Sequence, residues 1–376
     1  MQPPYDGEKL DRLMSEAGVD LVLANSRENV RYLCGGYYFH FHERFTSMGR
    51  GQYMALAGIP RGDAGKSFLI GGTGEIGQAK DQNLWIPELI PSARYPAEAA
   101  ADAANAIAGR GLGGGTIAVE ENFLPAIAKD TLQRELPNAT FVEALPILEE
   151  LRAIKTPEEI DIYRRISQAD AEAIREAFET AGPGATTRDV AHAVERGMTD
   201  RGLHFLWVFA CAGTSMLRAP SGKVWEKGEV LHLDAGGSEA DYLTDICRMG
   251  VRGEPTPLAD ELYKACLGTQ DHVRAEIRAG AVCGDIYEKG TTYLKDTEHG
   301  EYGNFIIHGI GMVSHEQPYF GPGVERALEE GMVVSIETDI RHPEVGYVKV
   351  EDAVAVTSDG YEPLGDLGRE DWVVVD

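Results

Sequence analysis

Five side chains with the chemistry of metal ligands follow one another along the C-terminal half of the chain: Asp234, Asp245, His308, Glu337 and Glu351. Each sits in, or at the end of, a short apolar stretch with the pattern of a β-strand. The stretches are VLHLDAGG, YLTDICRMG, FIIHGIGMVSHEQP, VVSIETDI and GYVKVEDAVAV. Carboxylates and an imidazole are costly to bury in such places unless paired or bound to a cation. Four carboxylates against one histidine carry too much negative charge for a single divalent ion. They suit two ions sharing bridging carboxylates, an arrangement that activates water for hydrolysis. Hard oxygen donors with one nitrogen are compatible with Mn, Fe(II), Co or Zn, and argue against a soft thiolate site.

The elements that must position these residues fall into two regions. Residues 7–23 predict a helix followed by a strand. Further strand–helix alternation follows: FLIGG at 68–72, a helix over 97–109, a strand over 116–122, a helix over 124–136 and a strand at 140–144. That pattern predicts an α/β domain over 1–150. GRGLGGG (109–115) lacks the ending of a phosphate loop and follows a helix, so it predicts a helix C-cap and turn. A boundary falls near Lys155, where Thr156, Pro157 and Glu159 have the spacing of an N-cap, an N1 proline and a capping box. The helix they start is expected to reach about Ala181. A second helix is expected to be capped by Thr187, with others over 257–278 and 284–294. With strands between the helix pairs, residues 151–376 predict an α+β domain with mainly antiparallel strands. Asp234 and Asp245 would lie on two strands of a hairpin turning near 236–241.

Composition narrows the function classes. The chain has 376 residues, with 61 acidic against 35 basic, for a formal net charge of −26. Nucleic-acid binding needs a basic footprint and is excluded on this ground. No apolar run approaches the roughly 20 residues that span a membrane. The N-terminus has no secretory h-region, and a cytoplasmic protein is expected. The five cysteines are scattered, which argues against a disulfide framework.

These stretches resemble a known family. LHLDAGG with DYLTDICR, HGIGMVSHEQP, SIET and KVEDAVAVT are similar to the successive motifs of the methionine aminopeptidase, aminopeptidase P and prolidase superfamily, the pita-bread fold of family M24. LRAIKTPEEI resembles the start of its catalytic domain. The stretch from Ser26 to Gly35 resembles the N-terminal domain shared by prolidase, aminopeptidase P and creatinase. The resemblance implies a pita-bread catalytic domain preceded by a creatinase-type α/β domain. It implies that Asp234 holds one metal, that Asp245 and Glu351 bridge two, and that His308 and Glu337 complete the second. A hydroxide between the ions would attack an amide carbonyl, Glu337 would take and return its proton, and His315 would stabilise the oxyanion. Xaa-Pro dipeptides or N-terminal Xaa-Pro bonds are the implied substrates, and a homodimer the implied assembly.

The sequence also departs from the family. A substrate-contacting histidine expected 17 residues before Asp234 is replaced by Leu217, with Arg218 beside it. Glu337 is followed by Thr338 rather than proline, and Cys247 takes a position usually held by threonine or another small residue. The metal cage is therefore expected intact and the substrate pocket altered. Leu217, Arg218, His315 and Arg341 are the candidates for contacting substrate. A small non-peptide substrate, such as a cyclic amide, a creatine-like compound or dimethylsulfoniopropionate, is the alternative for the same site. A non-catalytic binding module is the reading from another class. His40 and His42, within the aromatic segment Tyr37–Phe45, are taken as part of a dimer interface or pocket mouth rather than a metal pair.

Overall fold

The computed structural model describes residues 2–38, 47–49, 51–93 and 95–376. They form two compact units, Met1–Leu151 and Arg152–Asp376. His40 and His42 lie outside the described residues.

The first unit is built on a six-stranded sheet. Its strands are β1 (Leu21–Ala24), β4 (Leu56–Pro60), β5 (Phe68–Gly72), β6 (Glu88–Ser92), β7 (Thr116–Val119) and β8 (Thr140–Glu143), in the order β6-β5-β4-β1-β7-β8. A separate two-stranded pair is formed by β2 (Ser47–Met48) and β3 (Gly51–Gln52). The sheet is mixed, because β4 runs antiparallel to both β1 and β5 while the remaining pairs are parallel. Alternation along β1 explains the layers. Leu21 and Leu23 join one core with Ala99, Ala103 and Ile107 of the helix Pro96–Gly109. Val22 and Ala24 join the other with Leu10 and Met14 of the helix Gly7–Glu16. That helix starts where Asp6 accepts a hydrogen bond from the Lys9 amide. The GRGLGGG stretch ends the helix at Gly109 and turns at Gly111, whose φ of 75° favours glycine. The helices Arg27–Leu33, Thr73–Asp81 and Leu145–Arg152 were not evident from the sequence pattern.

The second unit carries a nine-stranded sheet. Its central path is β11 (Tyr242–Leu243), β10 (Val230–Glu239), β12 (Ile246–Arg252), β15 (Gly346–Val356), β14 (Val333–His342) and β13 (Gly303–Gly309). Three strands join off the path: β9 (His204–Ala212) on β10, β16 (Tyr361–Leu364) on β15 and β17 (Val373–Val375) on β12. Only the β12–β17 pair is parallel. The helices Pro157–Glu179 and Thr187–Asp200 share a core with Leu231, Leu233 and Ala235 of β10. The helices Pro257–Arg274 and Cys283–Lys295 share another with Val348, Val350 and Val354 of β15. The residues between these positions, His232 and Asp234 on β10 and Lys349 and Glu351 on β15, point to the opposite side of the sheet. The capping box at Thr156 and Glu159 forms, and its helix ends at Glu179. The next helix is capped by Thr186 rather than Thr187, because Asp189 completes a capping box three residues after Thr186. Thr187 instead accepts from the Ser221 amide.

In the first unit, Glu75 is buried, and burial pushes its carboxyl up to about 8 despite a hydrogen bond from the Gly72 amide. A carboxyl raised on folding contributes stability that is fully present below its ordinary value of 4.5 and lost as pH rises through about 8. Glu75→Gln should therefore cost little at pH 4.5 and stabilise the protein at pH 9, by on the order of 4 kcal/mol. Chemical denaturation of both proteins at the two pH values checks this, and a difference independent of pH would refute it.

Candidate metal centre and active site

Strand register assembles the site. Asp234 lies opposite Cys247, Cys247 opposite Glu351, and Glu351 opposite Glu337. Directly opposed residues share a face, so one row across β10, β12, β15 and β14 carries three carboxylates and a thiol. His308 belongs to the adjacent row, opposite Ser335, which is opposite Ala353. Asp245 sits in the break between β11 and β12. Its neighbour Thr244 fixes that break: the Thr244 hydroxyl donates to buried Asp170 at 2.5 Å and accepts from the Gly237 amide at 2.9 Å.

The HGIG run shapes the loop after His308. A Cβ on Gly309 would meet the Gln317 and Pro318 backbone at 2.5 Å, and one on Gly311 would overlap the Glu316 carboxylate. Only glycine allows the chain to fold back so closely that Gly309 and residues 316–318 exchange backbone hydrogen bonds. The fold-back lays His315 flat on His308, with ring centroids 3.8 Å apart and planes 13° apart. Buried Glu316 anchors it, accepting from Arg152 Nε at 2.8 Å and Lys155 Nζ at 3.1 Å. Burial alone would raise the Glu316 carboxyl, but Lys155 and Arg152 outweigh it and hold it low. This explains the arginine and lysine of LRAIK.

The site has donors suited to a cation. His308 Nδ1 donates to the Gly309 carbonyl at 3.1 Å, which leaves the Nε2 lone pair facing the carboxylates. That nitrogen is buried, makes no hydrogen bond, and lies 3.7 Å from Glu337 Oε1 and 3.9 Å from Glu351 Oε1. Ligand atoms of Asp245, His308 and Glu351 lie within 4.8 Å of one another, as do those of His308, His315 and Glu337. Burial and then the Glu351 charge push the carboxyls of Asp245 and Glu337 above the usual range. The cluster is thus short of positive charge, and a divalent ion fits it.

Asp234 belongs to neither group. Its Oδ2 takes Lys349 Nζ at 2.8 Å and Arg218 Nη2 at 2.5 Å, with His232 Nε2 at 3.6 Å. Burial opposes its charge, but Lys349 and His232 prevail and hold the carboxyl far below its ordinary value. Lys349 is buried as well, 2.6 Å from both Glu337 Oε2 and Glu351 Oε2. Neither Lys349 nor His232 stands out in a search for ligands. The signal was the two-residue period, which places Lys349 on the face of Glu351 and His232 on the face of Asp234.

The substrate candidates are placed as follows. Arg218 turns inward onto Asp234, its guanidinium 4.2 Å from the Phe209 ring centroid and 5.4 Å from that of Tyr347. Arg341 lies 4.8 Å from the same Tyr347 ring centroid and pairs with Asp339 at 2.9 Å. Leu217 is 55% exposed, so it adds no buried apolar wall. His315 is exposed, with its Nδ1 3.1 Å from the Ser314 hydroxyl.

A mixed N-terminal unit, a nine-stranded unit with paired helices and this oxygen-rich cluster define a metal-dependent hydrolase of pita-bread fold. The model of the metallopeptidase family M24 matches residues 161–358, and that of the creatinase/prolidase N-terminal domain matches residues 8–154. The chain belongs to metallopeptidase family M24. It is similar to an uncharacterized peptidase, YqhT, of Bacillus subtilis, 27% identical across 96% of this chain and 98% of the relative. It is also similar to a Xaa-Pro dipeptidase of Pyrococcus furiosus, 31% identical across 60% of this chain and 66% of the relative. Among solved structures, a Xaa-Pro dipeptidase from Bacillus anthracis superposes with a TM-score of 0.84 at 25% identity, covering 98% of this chain and all of the other.

Removing the anchor of the fold-back loop should be felt by the whole second unit. Glu316→Ala leaves Arg152 and Lys155 buried without a counter-charge and should destabilise by about 3–5 kcal/mol. Thermal and denaturant unfolding measure this. A loss below about 1 kcal/mol would show that the Glu316 cluster does not hold the loop.

Proposed function

We propose that this chain hydrolyses Xaa-Pro dipeptides, with Asp245, His308, Glu337 and Glu351 forming the metal-binding part of its active site. The observation that carries the reading is the unpartnered, buried Nε2 of His308, aimed into three carboxylates. The Xaa-Pro dipeptidases of Pyrococcus furiosus and Bacillus anthracis, similar along much or nearly all of the chain, support the substrate class. They do not favour the small-molecule alternative. The donor set suits Mn, Fe(II), Co or Zn.

When bound, the divalent metal supplies the Lewis acidity that activates water and polarises the scissile carbonyl. Glu337, whose Oε1 lies 3.7 Å from His308 Nε2, would accept the water proton and return it to the leaving nitrogen. His315, stacked on His308 and itself exposed, would donate a hydrogen bond to the developing oxyanion. Arg218 and Arg341, both beside the Tyr347 ring, would attract the carboxylate of a dipeptide. Leu217 cannot replace the hydrogen bond of the histidine it supplants, so orientation of the peptide falls to the arginines. Among the described residues no helix is long and apolar enough to cross a membrane. A cytoplasmic homodimer, the commonest symmetric assembly, completes the proposal.

Steady-state assays on metal-loaded protein test it. Xaa-Pro dipeptides should give kcat/KM of about 10⁴ M⁻¹s⁻¹ or more, with cyclic amides far below. Asp245→Ala should lower the Xaa-Pro value at least about 100-fold. Turnover of cyclic amides in preference to every dipeptide would overturn the substrate, and a tenth of the activity left in the variant would overturn the role of Asp245.

A further inference from the structure

We propose that the ammonium of Lys349 occupies one of two cation positions in the active site, so that this chain tightly binds one divalent ion rather than a pair. The inference rests on the metal-site reading above and concerns how many ions that site takes.

Three observations carry it. The first is position. Lys349 Nζ lies 2.8 Å from Asp234 Oδ2, 2.6 Å from Glu337 Oε2 and 2.6 Å from Glu351 Oε2. Two of these oxygens, on Asp234 and Glu351, belong to carboxylates that the resemblance assigns to a second ion, and three carboxylates around one small charged atom make a cation site already filled. The backbone dictates this position. Lys349 is two residues from Glu351 on β15, opposite Asp339 and one row from the Glu351–Glu337 pair. It cannot leave that face without breaking the period of a strand whose alternate residues form a core.

The second is the isolation of Asp234. With Arg218 at 2.5 Å on the same oxygen as Lys349, this carboxylate is fully engaged by the chain's own cations. Among the described residues, the groups able to hold a metal near the site are drawn from Asp245, His308, His315, Glu337 and Glu351. Both groups contain His308, so they describe one neighbourhood.

The third is charge. Asp234, Asp245, Glu337 and Glu351 carry four negative charges. Lys349, Arg218 and one divalent ion balance them. A second divalent ion would leave uncompensated positive charge in a buried site, which is strongly unfavourable. Lysine suits this role because its ammonium is a compact point charge that can take the place of a hydrated ion.

Metal stoichiometry tests the proposal without reference to turnover. The full-length protein, stripped of metal and titrated with Mn(II), should bind one ion tightly by calorimetry and elemental analysis. Its electron paramagnetic resonance should show an isolated Mn(II), without the exchange-coupled signal of a pair. Lys349→Met should gain a second ion and the coupled signal, with the second Kd at least tenfold tighter than in the parent. Lys349→Arg, which keeps the charge, should still bind one, and it decides the matter if the methionine variant does not fold. Two ions of similar affinity in the parent protein would overturn this inference and leave the hydrolase reading standing. A single ion in Lys349→Met would also overturn it. Binding of no ion by the parent would overturn both.

Discussion

Placing four carboxylates within a few ångströms of one another inside a folded protein is the constraint on which the second unit depends. Each carboxylate loses hydration and repels the others, and no gain in apolar burial offsets that unless positive charge is brought in. The raised carboxyls of Asp245 and Glu337 record the shortage. The lowered carboxyl of Asp234 records where the chain's own cations already supply what is needed. The placing of Lys349, Arg218 and His308 follows from this one requirement.

A sheet meets it because rows form across strands. Asp234, Cys247, Glu351 and Glu337 come from separate parts of the sequence, yet pairing puts them side by side. The helix pairs occupy the other surface, where leucine and valine alternate with the charged residues. Nearby charges are settled in the same manner. Glu316 is clamped by Arg152 and Lys155, and Asp352 is met by Arg248, Arg274 and Arg369. Each is a buried acid with two or more bases, which fixes where the loops around the site lie.

Much of this was legible in the sequence. The grouping of Asp245, His308, Glu337 and Glu351, the capping box at Thr156, the glycine-rich turn after residue 109 and the antiparallel character of the second unit all come from local chemistry. Local chemistry also leaves things out. Weighing four carboxylates against one histidine points to two ions, a balance that does not count Lys349 and Arg218. Lysine is ordinarily a solvated residue, and only the register shows that this one shares a face with Glu351. Leu217 is a candidate for contacting substrate by its place in the sequence, yet it is 55% exposed, and a loop residue's exposure is set by tertiary packing that no period encodes. The mixed direction of the first sheet was hidden for a related reason: alternation of strand and helix does not reveal that β4 runs against its neighbours.

The ammonium lodged among three carboxylates also bears on the order of events in the life of the chain. Many small metal-binding proteins cannot fold until their ion arrives, because the ligands repel one another without it. Here Lys349 and Arg218 already neutralise part of that repulsion from within the polypeptide. With that repulsion reduced, the strands would close over the site before the ion arrives, and folding and metal acquisition would be separate steps. A cell short of metal would then accumulate intact, inactive protein that can be switched on by supply, rather than unfolded chains that must be destroyed.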